Sequence, residues 1–120
     1  MKKTIMILSV VLASISMYGQ NISGKWYGKF DLQGKQQSVV FNIYSTRSGF
    51  KATMDSPDKK VFGIPVKYTT FNDSIIKLEI PKAGIEYLGT LNNKFNIVGV
   101  IKQSGQIFPL ELTIDKTDKM

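Results

Sequence analysis

The sequence predicts an all-β protein: one small antiparallel meander barrel of about eight strands that follows a cleaved signal peptide. Turn-forming residues recur roughly every 8–12 positions after residue 24, a spacing typical of sandwiches and barrels. Between the turns, apolar and polar residues alternate with the period of a half-buried strand. No stretch in that region has the spacing of an amphipathic helix. At 120 residues the chain has room for one domain.

The first residues have the pattern of an export signal. Lys2 and Lys3 precede a mostly apolar run, Ile5–Ile15, and a small-residue segment that ends at Gly19, with Ser16 as an alternative cleavage point. The run is shorter than the about 20 apolar residues that a membrane-spanning helix needs. We therefore predict a signal peptide at 1–19, a lead-in at 20–23, the barrel at 24–114 and a C-terminal tail at 115–120. The mature protein is expected in the periplasm or outside the cell, without stable membrane insertion.

The alternation defines eight candidate strands, joined by short connections rich in Gly, Pro, Asn, Asp and Ser. Connections this short favour an antiparallel meander. The predicted strands are Gly24–Leu32, Gln36–Tyr44, Gly49–Asp55, Ile64–Thr70, Ser74–Ile80, Ile85–Leu91, Phe95–Gln103 and Phe108–Ile114.

Each predicted strand carries its apolar residues on one face. A sheet that closes on itself buries all these faces and leaves no exposed edge, whereas an open eight-stranded meander exposes an edge at both ends. The sequence therefore favours a closed barrel. Gly28, Gly89 and Gly99 lie within strands on the apolar face, where they permit bending or close backbone approach.

The composition excludes several chemistries. The chain has no Cys and no His, so thiol nucleophiles, disulfides, a Ser-His-Asp triad and the commonest zinc sites are unavailable. The 16 basic residues outnumber the 9 acidic ones, and Gly24–Phe30 alternates aromatic residues with lysines as a base-stacking surface does. A first strand with its apolar face inward explains the same pattern. Because no nucleic-acid-binding motif is present, we predict no nucleic-acid partner.

Two carboxylates are predicted to face each other across a hairpin. If Pro81–Gly84 is a four-residue loop, Glu79 lies opposite Glu86 on the polar side of the sheet. Such a pair can share a proton or divide acid and base roles. Lys77 lies diagonally opposite Glu86 in this register and is expected to neutralise it.

A second acidic segment, Asp55–Asp58, has the turn geometry of a cation-binding loop but lacks the ligand number of an EF-hand. A Ser-Pro turn explains it without a metal. We therefore predict no metal and no cofactor.

The barrel interior is the remaining candidate site, because an eight-stranded barrel is either filled by side chains or holds one small ligand. The aromatic residues are large enough to fill it, and we favour a filled core. For a carrier of a small apolar ligand, the predicted lining is Trp26, Phe41, Tyr68, Tyr87 and Phe108. For a module that docks on a partner protein, the predicted contact residues are Tyr27, Val40, Tyr44 and Leu88 on the outer face.

The chain resembles the lipocalin-like β region that precedes the catalytic domain in a group of secreted bacterial α/β-hydrolases. The resemblance runs through segments spread over the predicted mature chain: Gly24–Trp26, Met54–Asp58, Gly63–Val66, Leu78–Pro81, Gly84–Tyr87, Gly89–Leu91, Lys102–Gln106 and Phe108–Leu110. Gly24–Trp26 is also similar to the G-x-W signature on the first strand of lipocalins, where the Trp closes one barrel end. The resemblance implies a lipocalin-like barrel and export. It implies no hydrolase activity, because this chain has no G-x-S-x-G motif and no His.

These observations together predict a non-enzymatic secreted or periplasmic barrel. Its expected partner is a small apolar ligand or a protein on which it docks. One alternative is a carboxylate-based enzyme centred on Glu79 and Glu86, and a second is a purely structural accessory module.

Overall fold

The computed structural model describes residues 21–114, so the predicted signal peptide and C-terminal tail lie outside the described residues. The described chain folds into nine antiparallel strands, which confirms the predicted all-β barrel class. The strands are β1 (Gly24–Leu32), β2 (Lys35–Thr46), β3 (Gly49–Ser56), β4 (Val61–Pro65), β5 (Tyr68–Asn72), β6 (Ile75–Ile80), β7 (Ile85–Asn93), β8 (Asn96–Gln103) and β9 (Gln106–Ile114).

All nine strands belong to one curled sheet in the order β4-β3-β2-β1-β9-β8-β7-β6-β5. Strands that follow each other in the chain pair as hairpins, except β4 and β5, and β1 pairs with β9 through Trp26–Ile114 and Tyr27–Thr113. The two strands at the ends of this order, β4 and β5, are consecutive in the chain. No ladder joins β4 to β5 among residues 21–114, so the curled sheet forms a half-barrel and does not close by hydrogen bonds at this point, whereas the sequence favours a closed barrel.

The predicted number of strands is wrong by one, because the predicted strand Ile64–Thr70 is divided between β4 and β5. The chain changes partners at this division. The Val66 N–H donates to the Ala52 carbonyl of β3 at 3.1 Å, whereas the Lys67 N–H donates to the Glu79 carbonyl of β6 at 2.9 Å. Residues 61–66 therefore bond to β3, and residues 67–72 bond to β6.

Two short 3₁₀ turns of the same design connect strands at one end of the barrel. Pro57–Lys59 joins β3 to β4, and Pro81–Ala83 joins β6 to β7. Each begins with the fixed φ of Pro and ends with a left-handed residue whose N–H bonds back to the Pro carbonyl. That residue is Lys60 (φ 57°) in the first turn and Gly84 (φ 67°) in the second.

The barrel centre is filled with side chains. Its largest fully buried members are Trp26, Tyr87, Phe41, Ile22, Ile76, Leu78, Ile97, Ile101, Leu110 and Leu112. The packing is close enough that a Cβ placed on Gly28 would lie 2.7 Å from the Leu110 side chain. A filled interior is what the predicted aromatic content favours, and it leaves the barrel ends as places where a ligand can bind.

Candidate ligand-binding site

One end of the barrel is closed by residues from the segment before β1 and from β1 itself. The indole Nε1 of Trp26 donates to the Ile22 carbonyl at 2.8 Å, and both side chains are fully buried. Phe50 and Phe71 meet nearby with their rings edge to face, 6.0 Å between centroids. Trp26 and Ile22 thus cover the core at this end.

The opposite end holds a pocket of about 210 Å³. This end carries both 3₁₀ turns and the β1–β2 and β8–β9 hairpins. The inward-facing wall is apolar and the rim is polar. The lining residues are Phe30, Val39, Met54, Val61, Ile64, Ala83, Ile85 and Ile101, with Gln37, Ser38, Ser56, Lys59 and Gln103 at the rim. We call this space the end pocket.

A second hollow, of about 560 Å³, opens on the side of the barrel where β4 and β6 are not paired. It is lined by Ile64, Pro65, Lys67, Ile80, Pro81, Lys82 and Ala83, and we call it the side seam. Ile64 and Ala83 line both spaces, so the side seam adjoins the end pocket. The gap exists because β5, not β4, pairs with β6, and that pairing reaches only Glu79.

The charge lining these two spaces has one sign. Lys59 lies at the rim of the end pocket, and Lys67 and Lys82 line the side seam. No Asp or Glu lines either space among the described residues. The site therefore combines an apolar floor with a cationic margin.

Three of the five predicted lining residues belong to the buried core and line neither space. Trp26, Phe41 and Tyr87 are fully buried, and the Phe41 and Tyr87 rings lie 5.7 Å apart. The Tyr87 hydroxyl donates to the Leu110 carbonyl at 2.9 Å. Burial raises the pKa of the Tyr87 phenol well above its ordinary value, and the Glu111 charge adds to this, so the hydroxyl stays a donor.

The other two predicted lining residues lie elsewhere. Phe108 is half-buried and packs on Phe30, a residue of the end pocket, with ring centroids 5.2 Å apart. The prediction for Tyr68 is wrong, because its side chain is 50% exposed. The partner change at Val66 and Lys67 breaks the alternation, so the half-buried residue Phe71, not Tyr68, packs against the core.

The predicted carboxylate register is confirmed. Glu79 pairs with Glu86, and Ile80 pairs with Ile85 across the predicted turn. The Lys77 Nζ lies 3.7 Å from an oxygen of each carboxylate. Glu86 also pairs with Lys102 on β8. Both glutamates are partly exposed on the outer face, and a lysine between them supplies the compensating charge that the register predicts.

The outer-face residues predicted for docking divide into two groups. Tyr27, Tyr44 and Leu88 are 43%, 50% and 45% exposed. The prediction for Val40 is wrong, because this side chain is only 8% exposed. Val40 points outward but lies at the base of a hollow whose walls include its cross-strand partner Tyr27 and Pro57.

The carboxylates of the acidic segment Asp55–Asp58 accept hydrogen bonds from backbone and side-chain N–H groups. The Asp55 carboxylate accepts from the Gly63 N–H at 2.8 Å and from the Asn42 amide at 3.1 Å. The Asp58 carboxylate accepts from the Ser38 N–H at 2.6 Å. No group of three or more potential metal ligands occurs within residues 21–114.

The alternation places several end-pocket residues on the apolar face but does not mark them as the lining of a pocket. Alternation shows which way a side chain points and carries no information on its height in the barrel. The distance of each residue from the nearest turn would have identified the lining. The five apolar residues close to turns at this end are Phe30, Val39, Met54, Ile85 and Ile101.

Comparison with protein-family models, curated proteins and solved structures finds no match to this chain. The resemblance to the hydrolase β region therefore stays a prediction. Residues 21–114 contain no helix long and apolar enough to cross a membrane.

Proposed function

We propose that this protein is a non-enzymatic binding protein that holds a small apolar ligand in the end pocket. The observation that carries the proposal is the contrast between the two barrel ends: one is closed by Trp26 and Ile22, and the other retains a space of about 210 Å³. Ligand sites are typically concave and mostly apolar with a few polar groups. The end pocket has this composition.

The filled centre limits where the ligand lies. Because Phe41 and Tyr87 occupy the middle of the barrel, a ligand cannot run along its axis. It occupies the open end and is held by Phe30, Met54 and Ile85. This is shallower binding than the sequence predicts for a hollow barrel. We further propose, from the export signal alone, that binding takes place in the periplasm or outside the cell.

A substitution that fills the end pocket tests the proposal. Ile85→Trp adds an aromatic ring at the pocket wall, and Leu88→Trp adds the same ring on the outer face of the same strand. In a Nile red fluorescence titration of the mature protein, Ile85→Trp is expected to weaken binding about 10-fold, equivalent to about 1.4 kcal/mol. Leu88→Trp serves as the matched control and should bind like the unmodified protein. Equal affinity in both variants would place the dye, and the site, outside the end pocket.

The carboxylate enzyme is the alternative that the structure favours less. Lys77 lies between Glu79 and Glu86, and both carboxylates face outward instead of into the end pocket or the side seam. The double variant Glu79→Gln, Glu86→Gln separates the two functions. A binding protein keeps its affinity for the dye in this variant, whereas an enzyme loses turnover.

Docking on a partner protein and a purely structural role also remain predictions. Leu88 and its cross-strand neighbour Val100, 38% exposed, form an apolar pair on the outer face where a partner would dock. Native mass spectrometry of the protein from its own host separates these roles. A small added mass supports the carrier, an added protein mass supports docking, and a bare chain counts against both.

A further inference from the structure

We propose that the ligand is an amphiphile with an anionic head group, held with its head between Lys67 and Lys82 at the side seam and its apolar chain in the end pocket. This inference rests on the proposed function and names the ligand class for the same site. It follows from three features: the break in the sheet, the continuity of the two spaces and the sign of the charge around them.

The change of strand partner at Val66 and Lys67 leaves an opening in the barrel wall between β4 and β6. At Val66 and Lys67 the chain leaves β3 and joins β6, so β4 and β6 face each other without a ladder. Toward the barrel end that Trp26 closes, Phe50 of β3 and Phe71 of β5 pack together across the gap between these two strands. On the open side, Ile64 and Ile80 line the gap without closing it. The side seam is thus a lateral opening in the barrel wall.

The opening leads toward the apolar interior. Ile64 and Ala83 line the side seam and the end pocket alike. Ile64 pairs with Met54, whose buried side chain lines the end pocket. An alkyl chain that enters at the seam therefore meets apolar side chains without a polar barrier. Its head group stays at the exposed margin, where water completes its hydration.

The margin selects the sign of the head group. Lys67 and Lys82 line the seam and Lys59 lies at the pocket rim, with no carboxylate among the lining residues. Two other outer hollows differ in this respect, since one contains Glu111 and the other Glu79 and Glu86. The Lys67 Nζ also lies 5.5 Å from the centroid of the exposed Tyr68 ring, a cation–π contact with a residue that does not line the seam. Between Lys67 and Lys82 an anion is therefore favoured over a cation, whereas at the pocket rim Asp58, which accepts from the Ser38 N–H, offsets the charge of Lys59.

Three ligands of equal chain length test the inference: decanoate, decanol and decyltrimethylammonium, titrated into the mature protein by isothermal calorimetry. Decanoate is expected to bind about 10-fold more tightly than decanol, a difference of about 1.4 kcal/mol. Decyltrimethylammonium should bind most weakly. Raising the salt concentration should reduce the preference for decanoate, because exposed charges are screened over about 8–10 Å at physiological ionic strength. Decyl sulfate and decyl phosphate in the same series show whether the charge alone or the carboxylate shape is recognised.

The double variant Lys67→Gln, Lys82→Gln should lose the preference for decanoate and keep its affinity for decanol. Lys25→Gln, Lys51→Gln is the matched control, because both lysines are exposed and lie outside the seam and the pocket. Decanol binding shows that the seam variant is folded. Equal affinity of the unmodified protein for decanoate and decanol overturns the anionic head group and leaves the proposed function standing. Absence of binding by all three ligands overturns both.

Discussion

The close packing of Tyr87 over Gly89 makes a sharp prediction about stability. These residues stand two apart on the inward face of β7, and a Cβ at position 89 would lie 2.8 Å from the Tyr87 hydroxyl oxygen and 2.7 Å from Cγ2 of Ile97. Carbon atoms do not approach so closely without displacement. Gly89→Ala is therefore expected to destabilise the barrel by about 1–3 kcal/mol, the usual cost of overpacking a core.

Tyr87→Phe removes an atom at the same site, where Gly89→Ala adds one. It removes the hydroxyl that donates to the Leu110 carbonyl at 2.9 Å, and it leaves that buried carbonyl with one hydrogen bond fewer. The expected loss is about 1–2 kcal/mol. In a domain of this size each kcal/mol lowers the melting temperature by about 4–8 °C. Tyr44→Phe, at a tyrosine that is 50% exposed, is the matched control and should change stability little.

The double variant Tyr87→Phe, Gly89→Ala distinguishes packing from simple loss of contacts. Without the hydroxyl, one of the close contacts to the new Cβ disappears. The double variant should therefore lose less unfolding free energy than the sum of the losses in the two single variants. The difference, the coupling free energy, should be about 0.5 kcal/mol or more. The assay is urea unfolding of the protein followed by circular dichroism. Additive costs would show that the Tyr87 hydroxyl and the position 89 side chain do not compete for space.

The two 3₁₀ turns and the charged hairpin give further predictions. Gly84→Lys should destabilise the protein by about 1 kcal/mol, because Gly84 has a left-handed backbone conformation (φ 67°). Lys60→Gly should stabilise it by a similar amount, because Lys60 has the same conformation (φ 57°). Thermal unfolding of both variants measures the two changes, and changes of the same sign would contradict the conformational argument. Glu86→Gln should change the unfolding free energy by less than about 1 kcal/mol, because its contact with Lys77 is partly exposed. Urea unfolding at low and high salt measures it, and a loss well above 1 kcal/mol would refute the view of this pair as a surface interaction.

Much of the fold is predictable because antiparallel hairpins are local. The turn at Pro81–Gly84 fixes the β6–β7 register, so the opposition of Glu79 and Glu86 follows from counting residues. The inward position of Trp26, Phe41 and Tyr87 follows from alternation in the same way. Each of these inferences uses neighbours along the chain or across one turn.

The remaining features depend on contacts that no local pattern encodes. The change of partner at Val66 and Lys67 is set by strands on both sides, and it reverses the expected orientation of Tyr68. Val40 points outward as alternation requires, yet Pro57 from a neighbouring connection helps to cover it. The end pocket was not predicted for a related reason: its position is set by which end of the barrel lacks a plug, and this depends on the whole sheet.

The pairing of β1 with β9 also bears on the order in which the strands are expected to form. Among the ladders within residues 21–114, it alone joins strands distant in sequence, while the others connect consecutive strands. Hairpins close small loops and form early, whereas a pairing between distant strands requires a much larger loop to close. Trp26 pairs with Ile114 at this junction and is the sole tryptophan of the chain. Its fluorescence therefore reports the joining of the first and last strands, the step expected to limit the rate of folding.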